Sequence, residues 1–341
     1  MPHKWKKSNP AFTDTLPTAG EELHVAAVDG GLCINGGQLW IDTDSPHDLA
    51  VVSHAHGDHI APHRNAIMTP ETACFFAWRE FEAGPITELP YRTPLQLDNG
   101  LTVELLSAGH ILGSAMVHVS DGRSSLLYTG DFKLRGALTC PPADPKHADV
   151  LVMETTFGLP NFIFPPIGEV RRQIVDFARE TLEAGGTPVF LGYSLGKSQE
   201  IAAILCQAGI PVACHGAVWN MLQLYTKFGC AFPTCCRYAQ GEVQNMALIT
   251  MPGTESTPMV KRLKKPRVAY CSGWAVLEKN YQAMTMDALI PLSDHADFPE
   301  LLELVDLVRP GLVYTIHGYT EPFAYILRQR GVDAIPLESG T

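Results

Sequence analysis

Within six residues, His54-Ala55-His56-Gly57-Asp58-His59 sets three imidazoles and a carboxylate directly behind the apolar run Leu49-Ala50-Val51-Val52. Imidazole nitrogen and carboxylate oxygen are ligands that a borderline cation such as zinc accepts, and H-x-H followed by D-H can present two faces to two ions. Two ions suggest hydrolysis, because paired cations both activate a water and neutralise charge on the group it attacks. A lone histidine carries no such implication, and His3, His24, His47, His118 and His147 read as surface or satisfied core positions.

Three further candidate ligands each follow an apolar strand-like run. His110 follows Leu105-Leu106-Ser107-Ala108-Gly109, Asp131 follows Leu126-Leu127-Tyr128-Thr129-Gly130, and His317 follows Val313-Tyr314-Thr315-Ile316. A strand end is where a side chain can leave the core and meet a site, and the glycine beside each ligand permits a close approach of backbone to ions. Taken singly each would be structural; taken together they form a set.

The elements that must position this set alternate in texture. The first half predicts strands over 23–28, 31–34, 38–41 and 49–53, with turns at Gly30-Gly31 and Asn35-Gly36-Gly37. A helix over 70–81 follows, then strands over 101–107, 114–120, 124–128 and 150–153, with Asp121-Gly122 as a hairpin turn. After Pro165-Pro166 the pattern becomes helix 169–184, strand 187–191, helix 197–208 and strand 211–214, with Gly209 and Gly216 closing the units. That rhythm suggests a parallel sheet flanked by helices. Polar ligand types return at Ser293-Asp294-His295-Ala296-Asp297, ahead of a helix over 299–308 and a strand over 312–316. Chemistry therefore lies at both ends of the chain, with an insertion between.

At 341 residues the chain exceeds what one core comfortably fills, about 250 to 300 residues, so two lobes are expected. A hydrophobic content of 46% with 18% charged residues describes a globular chain with ample apolar surface to bury. Lys4, Lys6 and Lys7 are followed by Ser8-Asn9-Pro10 rather than an apolar segment, which predicts a cytoplasmic protein with no membrane association. Nine cysteines with no C-x-x-C pair predict reduced thiols. The net charge of −11 argues against nonspecific polyanion binding, although bound divalent ions would return positive charge where a phosphate must sit. The run Lys261-Arg262-Leu263-Lys264-Lys265-Pro266-Arg267 is either a solvated face or a strand-binding patch.

The set H-x-H-x-D-H at 54–59, His110, Asp131 and His317 resembles the metallo-β-lactamase fold. Glu154 in Glu-Thr-Thr-Phe-Gly, His295 in Ser-Asp-His-Ala-Asp and His317 resemble the three additional motifs of the β-CASP nucleases, and Tyr193-Ser194-Leu195-Gly196-Lys197-Ser198-Gln199-Glu200 is similar to a segment of their inserted lobe. Ala108-Gly109-His110-Ile111-Leu112-Gly113-Ser114-Ala115, Gly130-Asp131-Phe132-Lys133, Thr156-Phe157-Gly158-Leu159-Pro160, His215-Gly216-Ala217-Val218 and His317-Gly318-Tyr319-Thr320 resemble the small bacterial ligase-associated DNA exonucleases. Thr155 departs from the serine common there, and the stretch after Trp274 is less basic.

The resemblance implies an αββα sandwich from residues 1–165 and 286–341, interrupted by a parallel-sheet β-CASP domain over 166–285. It implies two divalent ions, zinc with manganese as the alternative, with His54, His56 and His110 on one, Asp58, His59 and His317 on the other, and Asp131 bridging. Asp42 would orient a ligand imidazole. His295 would contact the scissile phosphate and protonate the leaving oxygen, oriented by Glu154. Together with Asp58 these carry the catalytic roles. The implied activity is hydrolysis of nucleic acid by a hydroxide activated between two metals. DNA cut from an end is favoured, in association with a ligase and a helicase, and an RNA-processing ribonuclease, endo- or exonucleolytic, is the alternative. Lactam or thioester hydrolysis on the same scaffold requires neither the insertion nor Glu154 and His295.

Gly192-Tyr193-Ser194-Leu195-Gly196-Lys197-Ser198 looks like a nucleotide-binding loop, but three residues separate its glycines where that motif has four. Ser194 and Lys197 at a helix start could instead meet a substrate phosphate.

Overall fold

In the computed structural model, residues 23–337 are described apart from 29, 80–83, 242 and 278–285. The amino-terminal lysines and Phe81 therefore lie outside the described residues. Six strands, β1 (Val25–Val28), β2 (Gly31–Ile34), β3 (Leu39–Ile41), β4 (Ala50–Val51), β5 (Ala66–Met68) and β6 (Ile86–Glu88), form a first sheet in sequence order, antiparallel as far as β3 and parallel beyond. Helix α1 (Pro70–Trp78) connects its last two strands.

The second sheet takes β7 (Leu95–Gln96), β8 (Thr102–Ser107), β9 (Ala115–Ser120), β10 (Ser125–Tyr128) and β11 (Val150–Thr155) from the first half of the chain. Between β11 and the strands that complete it run α2 (Ile167–Glu183), β12 (Thr187–Leu191), α3 (Lys197–Gln207), β13 (Val212–Cys214), α4 (Gly216–Lys227), β14 (Cys235–Arg237), β15 (Ala247–Thr250), α5 (Pro258–Lys261), β16 (Pro266–Cys271), β17 (Ala288–Ile290) and α6 (Phe298–Val308). Strand β18 (Leu312–Gly318) then pairs parallel with β11, and after α7 (Thr320–Gln329) the last strand, β19 (Ala334–Pro336), closes the sheet's edge.

The central strands of the second sheet are apolar on both faces, and this stacks the molecule in layers. Val103, Leu105, Val117, Val119, Leu126, Tyr128 and Val152 meet Leu32, Ile34, Leu39, Ile41, Val51 and Ile67 of the first sheet. Their alternates Leu106, Met116, Leu127, Leu151 and Met153 pack against Leu301, Leu304 and Val308 of α6 and Phe323 and Leu327 of α7. Val52, Ala66 and Met68 on the outer face of the first sheet pack on Ala73 and Phe76 of α1. The sequence of layers is helix, sheet, sheet, helix.

The third sheet has the order β14-β13-β15-β12-β16-β17 and is parallel throughout. Its sixth strand, β17, lies beyond the boundary at 285 expected from sequence. Gly216 does not close a unit: His215 caps the start of α4, its Nδ1 accepting from the Ala217 amide, and Gly216 is the first helical residue. The helix expected over 70–81 ends at Trp78, with Arg79 as its C-cap.

Candidate metal centre

Every ligand candidate sits just past, or at the end of, a strand of the two stacked sheets. The 54–59 loop follows β4, His110 follows β8, Asp131 follows β10, Glu154 lies near the end of β11, and His317 lies near the end of β18. His295 precedes α6, whose first turn is fixed by a reciprocal capping pair between Asp297 and Glu300. Gly109 and Gly130 make the sharp turns that present His110 and Asp131, with φ of +72° and +52°. A Cβ on Gly109 would lie 2.3 Å from the Lys133 carbonyl, and one on Gly130 2.8 Å from Ser53 Oγ. The close approach these glycines permit is thus to neighbouring chain.

Four ligand atoms converge: His54 Nε2, His56 Nδ1, His110 Nε2 and an Asp131 oxygen all lie within 4.8 Å of one another. His56 Nδ1 is 3.2 Å from His54 Nε2 and 3.1 Å from His110 Nε2. Asp131 Oδ2 is 3.4 Å from His54 Nε2 and 3.8 Å from His110 Nε2. A tetrahedral zinc shell with bonds near 2.0–2.1 Å places its ligands about 3.3 to 3.4 Å apart, so these spacings bracket what the ion requires.

The second nitrogen of each imidazole faces a fixed oxygen. His54 Nδ1 is 2.9 Å from Ser53 Oγ, His110 Nδ1 is 2.8 Å from the Asp294 carbonyl, and His59 Nδ1 is 3.0 Å from Asp42 Oδ2. His56 Nε2 is 3.2 Å from the carbonyl of Leu195, in the loop between β12 and α3 of the third sheet. Each oxygen accepts a hydrogen bond from one ring N–H, which leaves the other nitrogen with its lone pair aimed at the centre. Asp42 is itself buried with φ +52°, and accepts from Ser53 Oγ, the Ser53 amide and the Tyr128 hydroxyl. One carboxylate thereby orients His59 directly and His54 through Ser53.

Burial pulls the His54 and His56 pKa values down and that of His110 to about 3, which favours the neutral form a metal needs. Burial works against ionisation of Asp131, but the surrounding imidazoles of His295, His54 and His59 outweigh it and hold the carboxyl well below its usual range. His59 is also desolvated, yet Asp131 and Asp42 raise it to about 9.

Asp58, His59 and His317 form a looser group. Asp131 Oδ2 lies 3.7 Å from His59 Nε2, within reach of both halves. Asp58 Oδ2 is 3.9 Å from His59 Nε2 but its side chain is 81% exposed, and the His317 ring centroid is 6.1 Å from that of His59. His317 is exposed with φ +52°, and Thr155 Oγ1 donates to its carbonyl. Threonine at 155 thus does the anchoring that a serine hydroxyl would do.

His295 Nδ1 is 3.0 Å from each oxygen of buried Glu154, whose carboxylate also accepts from the Phe132 amide and from Thr156 Oγ1. Its Nε2 faces Asp131 Oδ2 at 4.0 Å. Desolvation opposes protonation of this imidazole, but Glu154 and Asp131 prevail and raise its pKa to about 10. Ser194 and Lys197 line the same cleft of about 740 Å³ as His56, Asp58, His59, Asp131, His295 and His317. The Lys197 ammonium is buried in an ion pair with Asp294, Nζ to Oδ1 2.9 Å, beneath the ring of Tyr193. The basic run at 261–267 lies where β16 begins, while the cleft is lined by Ser272, Gly273 and Trp274 where it ends.

Sequence reasoning gave no role to the Leu195 carbonyl, Asp294 or Arg79. A backbone carbonyl has no signature in sequence. Asp294 lies inside the Ser-Asp-His motif, next to a histidine whose residue type carries the stronger chemical signal. Arg79 follows an ordinary helix, and its approach to Gly57 is tertiary. The histidines set aside find ordinary partners where described: His47 stacks on Trp40 with centroids 3.6 Å apart, and His147 Nδ1 is 2.8 Å from the Val308 carbonyl.

No family model matches this chain. It is 39% identical over 297 residues to a protein of Opitutus terrae named probable DNA ligase, a match spanning 86% of this chain and 29% of that protein. It is 30% identical over 231 residues to an RNase J-like protein of Methanocaldococcus jannaschii, covering 59% of this chain and 55% of the relative. Over 150 residues it is 29% identical to the transcription termination factor FttA of Pyrococcus horikoshii, covering 41% of this chain and 23% of that protein. The chain therefore spans between about a quarter and about a half of the length of these relatives. Among the described residues, no helix is long and apolar enough to cross a membrane.

Proposed function

We propose that this chain is a metallo-β-lactamase-fold nuclease of the β-CASP type, with the parallel-sheet lobe, from residue 166 through β17, inserted into a core formed by the segments on either side of it. The observation that carries this reading is the convergence of three imidazole nitrogens and the Asp131 oxygen, each imidazole oriented by an oxygen behind it. His54, His56, His110 and Asp131 would hold one divalent ion, and Asp58, His59 and His317 a second, with Asp131 reaching both; zinc suits the donor set and manganese is the alternative. Bound there, two ions supply Lewis acidity that lowers the pKa of water and offsets charge on a phosphodiester.

The chain's own groups do the rest. Glu154 accepts the proton on Nδ1 of His295 and fixes its tautomer, so Nε2 is turned toward Asp131 and can hand a proton to a departing oxygen. Asp42 and Ser53 hold the ligand rings, which keeps them from rotating when substrate enters. The Lys197–Asp294 pair fixes the carbonyl on which His110 rests, a supporting role that replaces a direct grip on phosphate.

DNA is the favoured substrate, cut from an end in the cytoplasm beside a ligase and a helicase. A relative named DNA ligase carries, within 29% of its length, the segment most of this chain matches, and a joined polypeptide is the simplest form of such an association. The second reading, an RNA-processing ribonuclease, is favoured by the similarity to an RNase J-like protein. Matched DNA and RNA oligonucleotides, each blocked at the 5′ or the 3′ end and incubated with zinc or manganese, separate the readings. Stepwise shortening of DNA supports the first, faster loss of RNA selects the second, and no cleavage of either with both metals rejects nuclease function.

A further inference from the structure

A chain of net charge −11 that binds a polyanion must place cations locally against its phosphates. Among the described residues lining the cleft, two carry permanent positive charge, Lys197 and Arg79. Lys197 is neutralised by Asp294 at 2.9 Å. The basic run at 261–267 belongs to the opposite end of the third sheet. Arg79 differs from both. It is the half-buried C-cap of α1, and among the described residues its guanidinium makes no hydrogen bond or ion pair. Its Nη1 lies 3.5 Å from where a Cβ on Gly57 would be, so it rests on the ligand loop between His56 and Asp58.

We propose that Arg79 binds a backbone phosphate of the nucleic acid that flanks the linkage being cut. The proposal rests on the nuclease reading and adds to it a contact for the strand beyond the reacting group. A guanidinium presents its donors in a planar fork that matches phosphate oxygens two at a time, and here, among the described residues, no hydrogen-bond acceptor satisfies the fork. Burial disfavours the guanidinium's charge and the Asp58 carboxylate offsets this only in part, without a hydrogen bond to it, so a phosphate at this position would meet a cation already stripped of part of its water. The site is beside the exposed half of the metal centre, where Asp58 and His317 leave the cleft open to solvent.

Steady-state cleavage of a short single-stranded oligonucleotide by R79Q tests this. KM is expected to rise about ten-fold, the equivalent of one charge-assisted hydrogen bond, with a much smaller fall in kcat. The slope of log(kcat/KM) against log[salt] should flatten by about 0.7, one phosphate contact on a single strand, and R79K should restore part of the loss. Fluorescence anisotropy of a labelled strand in a His295→Ala background reads binding without cleavage, and bound metal per chain is measured alongside. Unchanged KM and affinity in a chain that cleaves normally overturn the role of Arg79 and leave the nuclease reading standing. Loss of metal in R79Q overturns it too, since Arg79 would then be supporting the ligand loop. A wild-type chain that binds the strand but cuts neither DNA nor RNA rejects the nuclease reading, while weaker binding by the R79Q variant of that background still establishes the contact. A chain that binds no oligonucleotide overturns both.

Discussion

The two halves of the candidate metal centre have Asp131 within reach of both and differ in almost everything else. His54, His56 and His110 are turned inward, each with its outer nitrogen against a fixed oxygen, and their donor atoms already stand at metal-shell spacing. Asp58 and His317 are solvent-exposed, and among the described residues it is His59 of that half whose ring is held, by Asp42. A buried, oriented half loses little entropy when an ion enters, whereas an exposed half must order its side chains at that moment. The first position should therefore bind more tightly and the second should be the one that substrate helps to complete.

Asp131→Ala, which removes the atom both halves share, is the most severe way to break this contrast. Cleavage should be abolished and bound metal should fall while circular dichroism stays near wild type. Robust activity in that variant would end the two-half description. His56→Ala should do the same from the inner half alone. His295→Ala should lower kcat by about 10² to 10⁴-fold with metal content near normal, because that ring is held by Glu154 and its Nε2 lies 4.0 Å from Asp131, farther than the nitrogens of His54, His59 and His110. If the ions leave with it, His295 belongs among the ligands.

Smaller changes sharpen the comparison. Asp42→Asn should weaken metal affinity by about 10 to 100-fold, since its carboxylate orients rings in both halves. In His317→Ala, metal titration should show the outer ion weakened and the inner ion nearly unaffected; equal weakening of both would show that the halves do not differ as the exposures imply. Chelation should lower the unfolding temperature by an amount that grows with the logarithm of ion affinity, as for anything that binds the native state alone.

The convergence of His54, His56, His110 and Asp131 was legible because it is written in residue types that have few other uses at such density. The layered core was legible as well, for runs such as Leu105-Leu106 and Leu126-Leu127-Tyr128 alternate between two apolar surfaces. Elements held by context were not. Strands β5, β7 and β14 are two or three residues long, too short for a period to show, and gain their identity from the neighbour they pair with. Helix α4 was hidden because Gly216 reads as a terminator, whereas the ring nitrogen of His215 caps the turn that Gly216 begins. Lys197 misled for a related reason: its place at a helix start suggests an anion site, and only the fold reveals that Asp294, 97 positions away, has already met its charge.

The bond from His56 to the Leu195 carbonyl joins a ligand on one sheet system to the backbone of another. If the third sheet swings away, that imidazole loses the acceptor that fixes which of its nitrogens is bare. Cation occupancy and the seating of the third sheet are then coupled quantities, and by linkage each must favour the other to the same degree. A strand wedged into the cleft would be felt as a change in how firmly the protein grips its ions.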